Sequence, residues 1–253
     1  MRTRAVLTTI MLLALASCSD TSRGDRTLTV FAASSLGAAF GRIADSFEAA
    51  NPGVHVVLNL GASDTLAVQI QSEGTADVFA SASETWMDAV AQDPGVTDRA
   101  DFATNRLAIV TPPDDPADIS SIGDLAQPGI QLVVGAEGVP VGDYARRMLA
   151  NAGISDAALA NVVSNEEDNA GVVAKIAAGE ADVGIVYTSD LSGAAGNDLR
   201  SVPVPSDVNV IATYPIATVD GRRTDLARAF IGYVLGDPGQ RALATAGFGH
   251  AGG

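Results

Sequence analysis

The chain has 253 residues, 47% of them hydrophobic but only 5% aromatic, and a formal net charge of −15 at pH 7. That length allows two modest lobes or one large domain cored by Ala, Val, Leu and Ile, and the 18% charged fraction is that of a globular chain. An acidic surface repels nucleic acid, a single cysteine (Cys18) excludes an internal disulfide, and His55 and His250 are too few and too scattered for a Cys/His zinc site.

At the N-terminus, Arg2 and Arg4 precede a short apolar run, Leu7 to Ala16 (LTTIMLLALA). The run is too short to span a bilayer and has the plan of a secretory signal, so residues 1–17 are expected to be removed. Leu15-Ala16-Ser17-Cys18 resembles the lipobox of bacterial lipoproteins, which implies lipidation of Cys18. An ordinary cleaved signal with an incidental Cys is the plainer alternative. The polar, small residues up to Arg26 read as a tether, giving a segment 18–26 on a lipid anchor.

From Thr27 onward, apolar strand-like runs alternate with helix-period segments. Leu28 to Ala33 is a strand candidate; Leu36, Phe40, Ile43 and Phe47 share one helical face, which Asn51-Pro52-Gly53 stops. Val54, Val56, Leu58 and Leu60 alternate as a strand. A short helix carries Leu66 and Ile70, Asp77 to Ala80 is a strand, and Ser83 is placed to cap the helix of Trp86, Met87 and Val90. Arg106 to Thr111 is the next strand. The pattern then restarts: a short helix at Ile122 and Leu125, a strand Gln131 to Ala136, a helix Tyr144 to Ala150, a strand at Val162-Val163, a helix through Val172 and Ile176, and a strand Val183 to Tyr187. Asn209 to Val219 is a β-type run expected to break at Pro215, and helices Thr224 to Leu235 and Pro238 to Ala246 follow. This alternation predicts an α/β architecture with mostly parallel sheets and helices on both faces. We read two lobes, residues 27–110 with 213–253 and residues 111–212, joined by a two-crossing hinge.

Four polar or glycine-rich turns fall between a strand's end and a helix's start: Ala32 to Ser35, Gly61 to Asp64, Gly138 to Gly142 and Glu167 to Ala170. Such turns gather where ligands bind in α/β sheets, and each offers unpaired N–H groups and a helix dipole that favour an anion. Taken singly, Ser35, Ser63 and Asp64 read more readily as helix caps than as ligands, and Tyr187 as a packing residue.

Taken together, VFAASSL (Val30 to Leu36), GASDTLAVQI (Gly61 to Ile70), ADVFASASETWMD (Ala76 to Asp88), GVPVGDYA (Gly138 to Ala145), ADVGIVYTSD (Ala181 to Asp190) and YPIAT (Tyr214 to Thr218) resemble periplasmic molybdate-binding proteins of ABC importers. The resemblance implies a two-lobed type II periplasmic-binding-protein fold, capture of molybdate or tungstate, delivery to an ABC permease, and no cofactor. It also implies that the oxyanion is held by the hydroxyls of Ser35 and Ser63, the backbone N–H groups of Val141 and Asn169, and the hydroxyl of Tyr187, with no direct protein ligand to the metal. A monomer on the outer face of the cytoplasmic membrane, or in the periplasm, is the expected state.

Three positions depart from the commoner family pattern. Asn169 stands where an apolar residue is usual, and if its N–H does the binding its side chain should matter little. Val141 replaces a smaller residue and narrows the pocket. Asp64 beside Ser63 would oppose an anion unless its carboxylate turns to the helix N-terminus or to solvent. A site of neutral donors satisfies every oxygen of a deprotonated dianion and disfavours protonated phosphate, whose hydrogen needs an acceptor. No histidine sits in these turns, so a Ser/His enzyme is not expected. Binding of sulfate or of ferric ion on the same fold, the latter through Tyr144, Tyr187 and Tyr214, is the alternative.

Overall fold

The computed structural model describes residues 26–192, 194–220 and 224–252. The expected signal, Cys18 and the tether before Arg26 lie outside the described residues. The strands are β1 (Arg26–Ala33), β2 (Val54–Gly61), β3 (Val78–Ala80), β4 (Val96–Thr111), β5 (Leu132–Gly135), β6 (Val162–Glu166), β7 (Val183–Tyr187), β8 (Arg200–Val202) and β9 (Ile211–Val219). The α-helices are α1 (Gly37–Ala50), α2 (Ser63–Glu73), α3 (Glu84–Gln92), α4 (Pro140–Asn151), α5 (Ser155–Leu159), α6 (Asn169–Ala177), α7 (Thr224–Leu235) and α8 (Asp237–Thr245).

One group of strands runs β2-β1-β3-β9-β4 and the other β4-β7-β5-β6, with β8 also on β4. Pairing is parallel where β1 meets β2 and β3, and where β5 meets β6 and β7. Every antiparallel ladder between these strands involves β4 or β9. The architecture is therefore mixed at its centre. The reason is β4 itself: its Val96 to Arg106 stretch pairs with β9, and its Leu107 to Val110 stretch pairs with β7. A single extended strand leaves one sheet and enters the other, while β9 returns alongside it.

The expected break at Pro215 does not occur. β9 runs through it, because Pro215 lies opposite Asp101, where the β4–β9 register shifts before Ala103. A residue without an N–H is tolerated where the ladder is already irregular. Its carbonyl is used as well, accepting from the Ser81 N–H at 2.9 Å.

The helical face of Phe40, Ile43 and Phe47 is buried as its spacing predicts. Phe40 meets Phe102 and Phe230 edge-on at ring separations of 5.7 and 6.1 Å, and Phe47 meets Phe230 at 5.2 Å. These contacts bring α1, β4 and α7 into one core, so the C-terminal helices pack beside the first helix. Edge-to-face pairs of this kind add about 0.5–1.5 kcal/mol beyond their buried area.

Candidate anion-binding site

The four turns converge. Ser35, Ser63, Val141, Asn169 and Tyr187 all line one cavity, with Ala82 and Pro140 beside them. None of the described residues lining it is charged. The cavity is about 10 Å³, room for roughly one water-sized sphere. A wider cleft of about 560 Å³ shares Gly61 and Ala62 with it and continues along Thr65, Glu166 to Asp168 and Lys175.

Neither candidate serine caps a helix. The residues at the cap positions are Ala33 and Ala62, with no side-chain cap bond. The Ser63 hydroxyl, 1% exposed, instead accepts the N–H of Ala82 at 3.0 Å. Its own proton remains available to donate. The Ser35 hydroxyl lies 3.0 Å from the Tyr214 hydroxyl, and either can donate. Asp64 is the second residue of α2. Burial raises its carboxyl above the ordinary range, while the N–H groups of Thr65 and of Asp64 itself oppose the rise.

The turn into α4 is built for exposed amides. Gly138 has φ +88 and donates its N–H to Asp143 Oδ1 at 2.9 Å. Pro140 opens the helix without an N–H, so the first donors are those of Val141 and Gly142. A Cβ at Gly142 would overlap the carbonyl oxygens of Gly135 and Ala136, which fixes glycine there. The nearby cation, Arg146, is spent on the carbonyls of Gly135 and Gly142 at 2.9 and 3.0 Å and on Asn165 Oδ1 at 3.1 Å. From the other half of the molecule, Trp86 of α3 donates its indole N–H to the Gly138 carbonyl at 2.9 Å.

At α6, the Asp168 carboxylate caps the Gly171 N–H at 2.8 Å. That leaves the N–H groups of Asn169 and Ala170 as the first unclaimed donors of the helix. The Asn169 side chain is engaged within the protein. Its Nδ2 lies 3.0 Å from both carboxylate oxygens of Asp190, and Asp190 Oδ2 also accepts the Tyr187 N–H at 2.9 Å. Burial pushes the Asp190 carboxyl up to about 6, against the lowering effect of these two bonds. Asp190 lies within the quoted ADVGIVYTSD stretch, yet nothing in local spacing assigns it a partner 21 residues away. Two buried polar atoms of the lining residues, Tyr187 Oη and Asn169 Oδ1, have no hydrogen-bond partner among the described residues. Burial also holds the Tyr187 and Tyr214 phenols well above their ordinary range, so both are neutral.

An uncharged pocket at four helix N-termini, with a buried hydroxyl left unpaired, is arranged to donate hydrogen bonds to something held between the two halves. The model of bacterial extracellular solute-binding proteins matches residues 28–249. The chain belongs to this family. Over 231 residues it is 38% identical to the molybdate-binding protein ModA of Mycobacterium tuberculosis, covering 90% of this chain and 86% of that one. Over 230 residues it is 35% identical to the Escherichia coli protein of the same name, covering 87% and 88%. Among solved structures, the periplasmic molybdate-binding protein of Azotobacter vinelandii matches with a TM-score of 0.74 at 20% identity, over 87% of this chain and 98% of that one. The sulfate-binding protein SubI of Mycobacterium tuberculosis matches at 0.77 and 18%, over 90% and 88%. These two share the fold, and this solute-binding protein has the two-lobed type II architecture, with β4 crossing between its halves and β9 paired beside it up to the crossing.

Proposed function

We propose that this protein is the exported binding component of an ABC importer, that it captures molybdate, and tungstate with it, between two lobes, and that it hands the anion to a permease. The observation that carries this reading is the uncharged cavity whose Tyr187 hydroxyl is buried without a partner. The ligand-holding groups are the hydroxyls of Ser35, Ser63 and Tyr187 and the N–H groups of Val141 and Asn169. The Mycobacterium tuberculosis and Escherichia coli relatives, at 38% and 35% identity, are named as molybdate-binding proteins, which supports the choice of anion. The lobes are residues 27–110 with 213–253 and residues 111–212, closing about β4 and β9.

Neutral donors suit a dianion that must later be released, since no buried ion pair has to be broken. Calorimetry on the purified protein is expected to give tight binding of molybdate and tungstate, weak binding of sulfate and no measurable binding of phosphate. Phosphate affinity equal to that of molybdate would overturn the reading. Sulfate carries the same charge, and only donor spacing separates it from molybdate. Ferric iron is the less favoured ligand, because the Tyr187 and Tyr214 phenols are held neutral and Tyr214 is paired with Ser35.

The reading includes no catalysis. His55 Nδ1 lies 3.1 Å from Glu48 on the outside of β2, and no histidine lines the cavity. It requires no cofactor, and the protein acts as a monomer. We also propose that Cys18 carries a lipid, on the strength of the preceding Leu-Ala-Ser. The protein should sediment with membranes, and Cys18→Ala should release it; free wild-type protein in the soluble fraction would end that proposal.

A further inference from the structure

Asp190 follows β7 in the short 3-10 helix Thr188–Ser192 and is hydrogen-bonded to the cavity lining. It touches two of the lining residues at once, through the Asn169 amide and the Tyr187 backbone N–H. Both bonds are donated to a carboxylate. Asn169 therefore spends its NH₂ on Asp190 and keeps Oδ1, an acceptor, buried and unpaired. An unpaired acceptor in the wall of a cavity meant for an anion is unfavourable twice, once for its lost hydrogen bond and once for its lone pairs.

We propose that Asp190 is a positioning residue that sets the orientation of the Asn169 amide, and that anion binding draws a proton from solvent onto its carboxylate. The proposal rests on the oxyanion reading above. When a dianion occupies the cavity, a carboxylate one residue behind the wall is repelled. Protonation removes that repulsion. The new carboxyl O–H can donate to Asn169 Oδ1 once the amide turns over about its Cβ–Cγ bond. Nδ2 then occupies the place that Oδ1 held, and the orphaned acceptor is replaced by a donor. The step adds one proton to one carboxylate oxygen and breaks no covalent bond.

Few other charges compete at this place. The titratable groups facing Asp190 are the phenols of Tyr187 on β7 and Tyr214 on β9, both neutral. On α6, Asp168 is turned to the Gly171 N–H, and Lys175 is paired with Glu166 at 3.2 Å. Arg106 on β4 and Asp198 are exposed. Asp64 on α2 is the rival proton acceptor, since burial raises its carboxyl as well.

With the Asp190 carboxyl at about 6 in the free protein and higher in the complex, the sign follows. Affinity is greatest below about pH 6 and falls as pH rises through that value, by at most roughly tenfold per pH unit for one proton.

The test is calorimetry with sodium molybdate at pH 7 in two non-oxyanion buffers of different ionisation enthalpy, which counts protons exchanged. Wild type is expected to take up between half a proton and one proton, Asp190→Asn none, and the Asp190→Asn affinity should be flat from pH 6 to 8. Binding by wild type without proton uptake overturns the proposal. So does uptake that persists in Asp190→Asn, or that disappears in Asp64→Asn. If Asp190→Asn does not fold, the wild-type count and the Asp64→Asn comparison still decide. Absence of molybdate heat in every buffer overturns the oxyanion reading itself, an outcome distinct from binding without a proton.

Discussion

Ser63→Ala is expected to lower both the stability of the free protein and its affinity for the anion. The two losses have separate causes. In the free protein the hydroxyl accepts the Ala82 N–H in a fully enclosed position. Alanine leaves that N–H buried and unpaired, which costs about 1–3 kcal/mol. In the proposed complex the same hydroxyl donates to the anion. A charge-assisted hydrogen bond of about 1.5–3 kcal/mol is lost, or roughly ten- to a hundredfold in affinity. Thermal melts without ligand and calorimetry with molybdate separate the two. A variant that melts lower yet binds as wild type would make Ser63 a structural residue only.

Tyr187→Phe should split these effects. In the free protein the Tyr187 hydroxyl is buried near the Tyr214 phenol without a well-formed hydrogen bond, so its removal sacrifices little and relieves the burial of a poorly satisfied polar atom. The ring stays packed edge-on against Tyr214, 6.0 Å away. The free protein should melt at the same temperature or slightly higher. Affinity for molybdate should fall roughly ten- to a hundredfold, because the hydroxyl is a proposed donor to the ligand. An unchanged dissociation constant in Tyr187→Phe would remove the hydroxyl from the site.

Much of this arrangement was legible in the sequence because strand–turn–helix junctions carry strong local signals. Val183 to Tyr187 and Thr224 to Leu235 form the elements that their apolar patterns predict, to the residue. The five ligand candidates converge because each sits at such a junction, and the topology gathers the junctions. What escaped depends on distant partners. Val96 to Asn105 is too polar to read as strand, and its pairing with β9 is interrupted by two register shifts. β8 is only three residues long and is held by β4. Pro215 looks like a strand breaker until its neighbour's irregularity is known. Asn169 and Asp190 meet across 21 positions, with a β-strand between them, so the purpose of a polar side chain at the start of α6 could not be found by inspection of α6.

The contact between Trp86 and the Gly138 carbonyl has a practical consequence. The chain contains a single tryptophan, and its indole N–H reaches across from one half of the molecule to the turn that opens α4 in the other. Indole emission shifts to longer wavelength when that N–H passes from a protein carbonyl to water. Parting of the halves therefore changes the color and intensity of the protein's own fluorescence. No dye or engineered label is needed, and the rate of opening can be followed in a stopped-flow instrument with the unmodified chain.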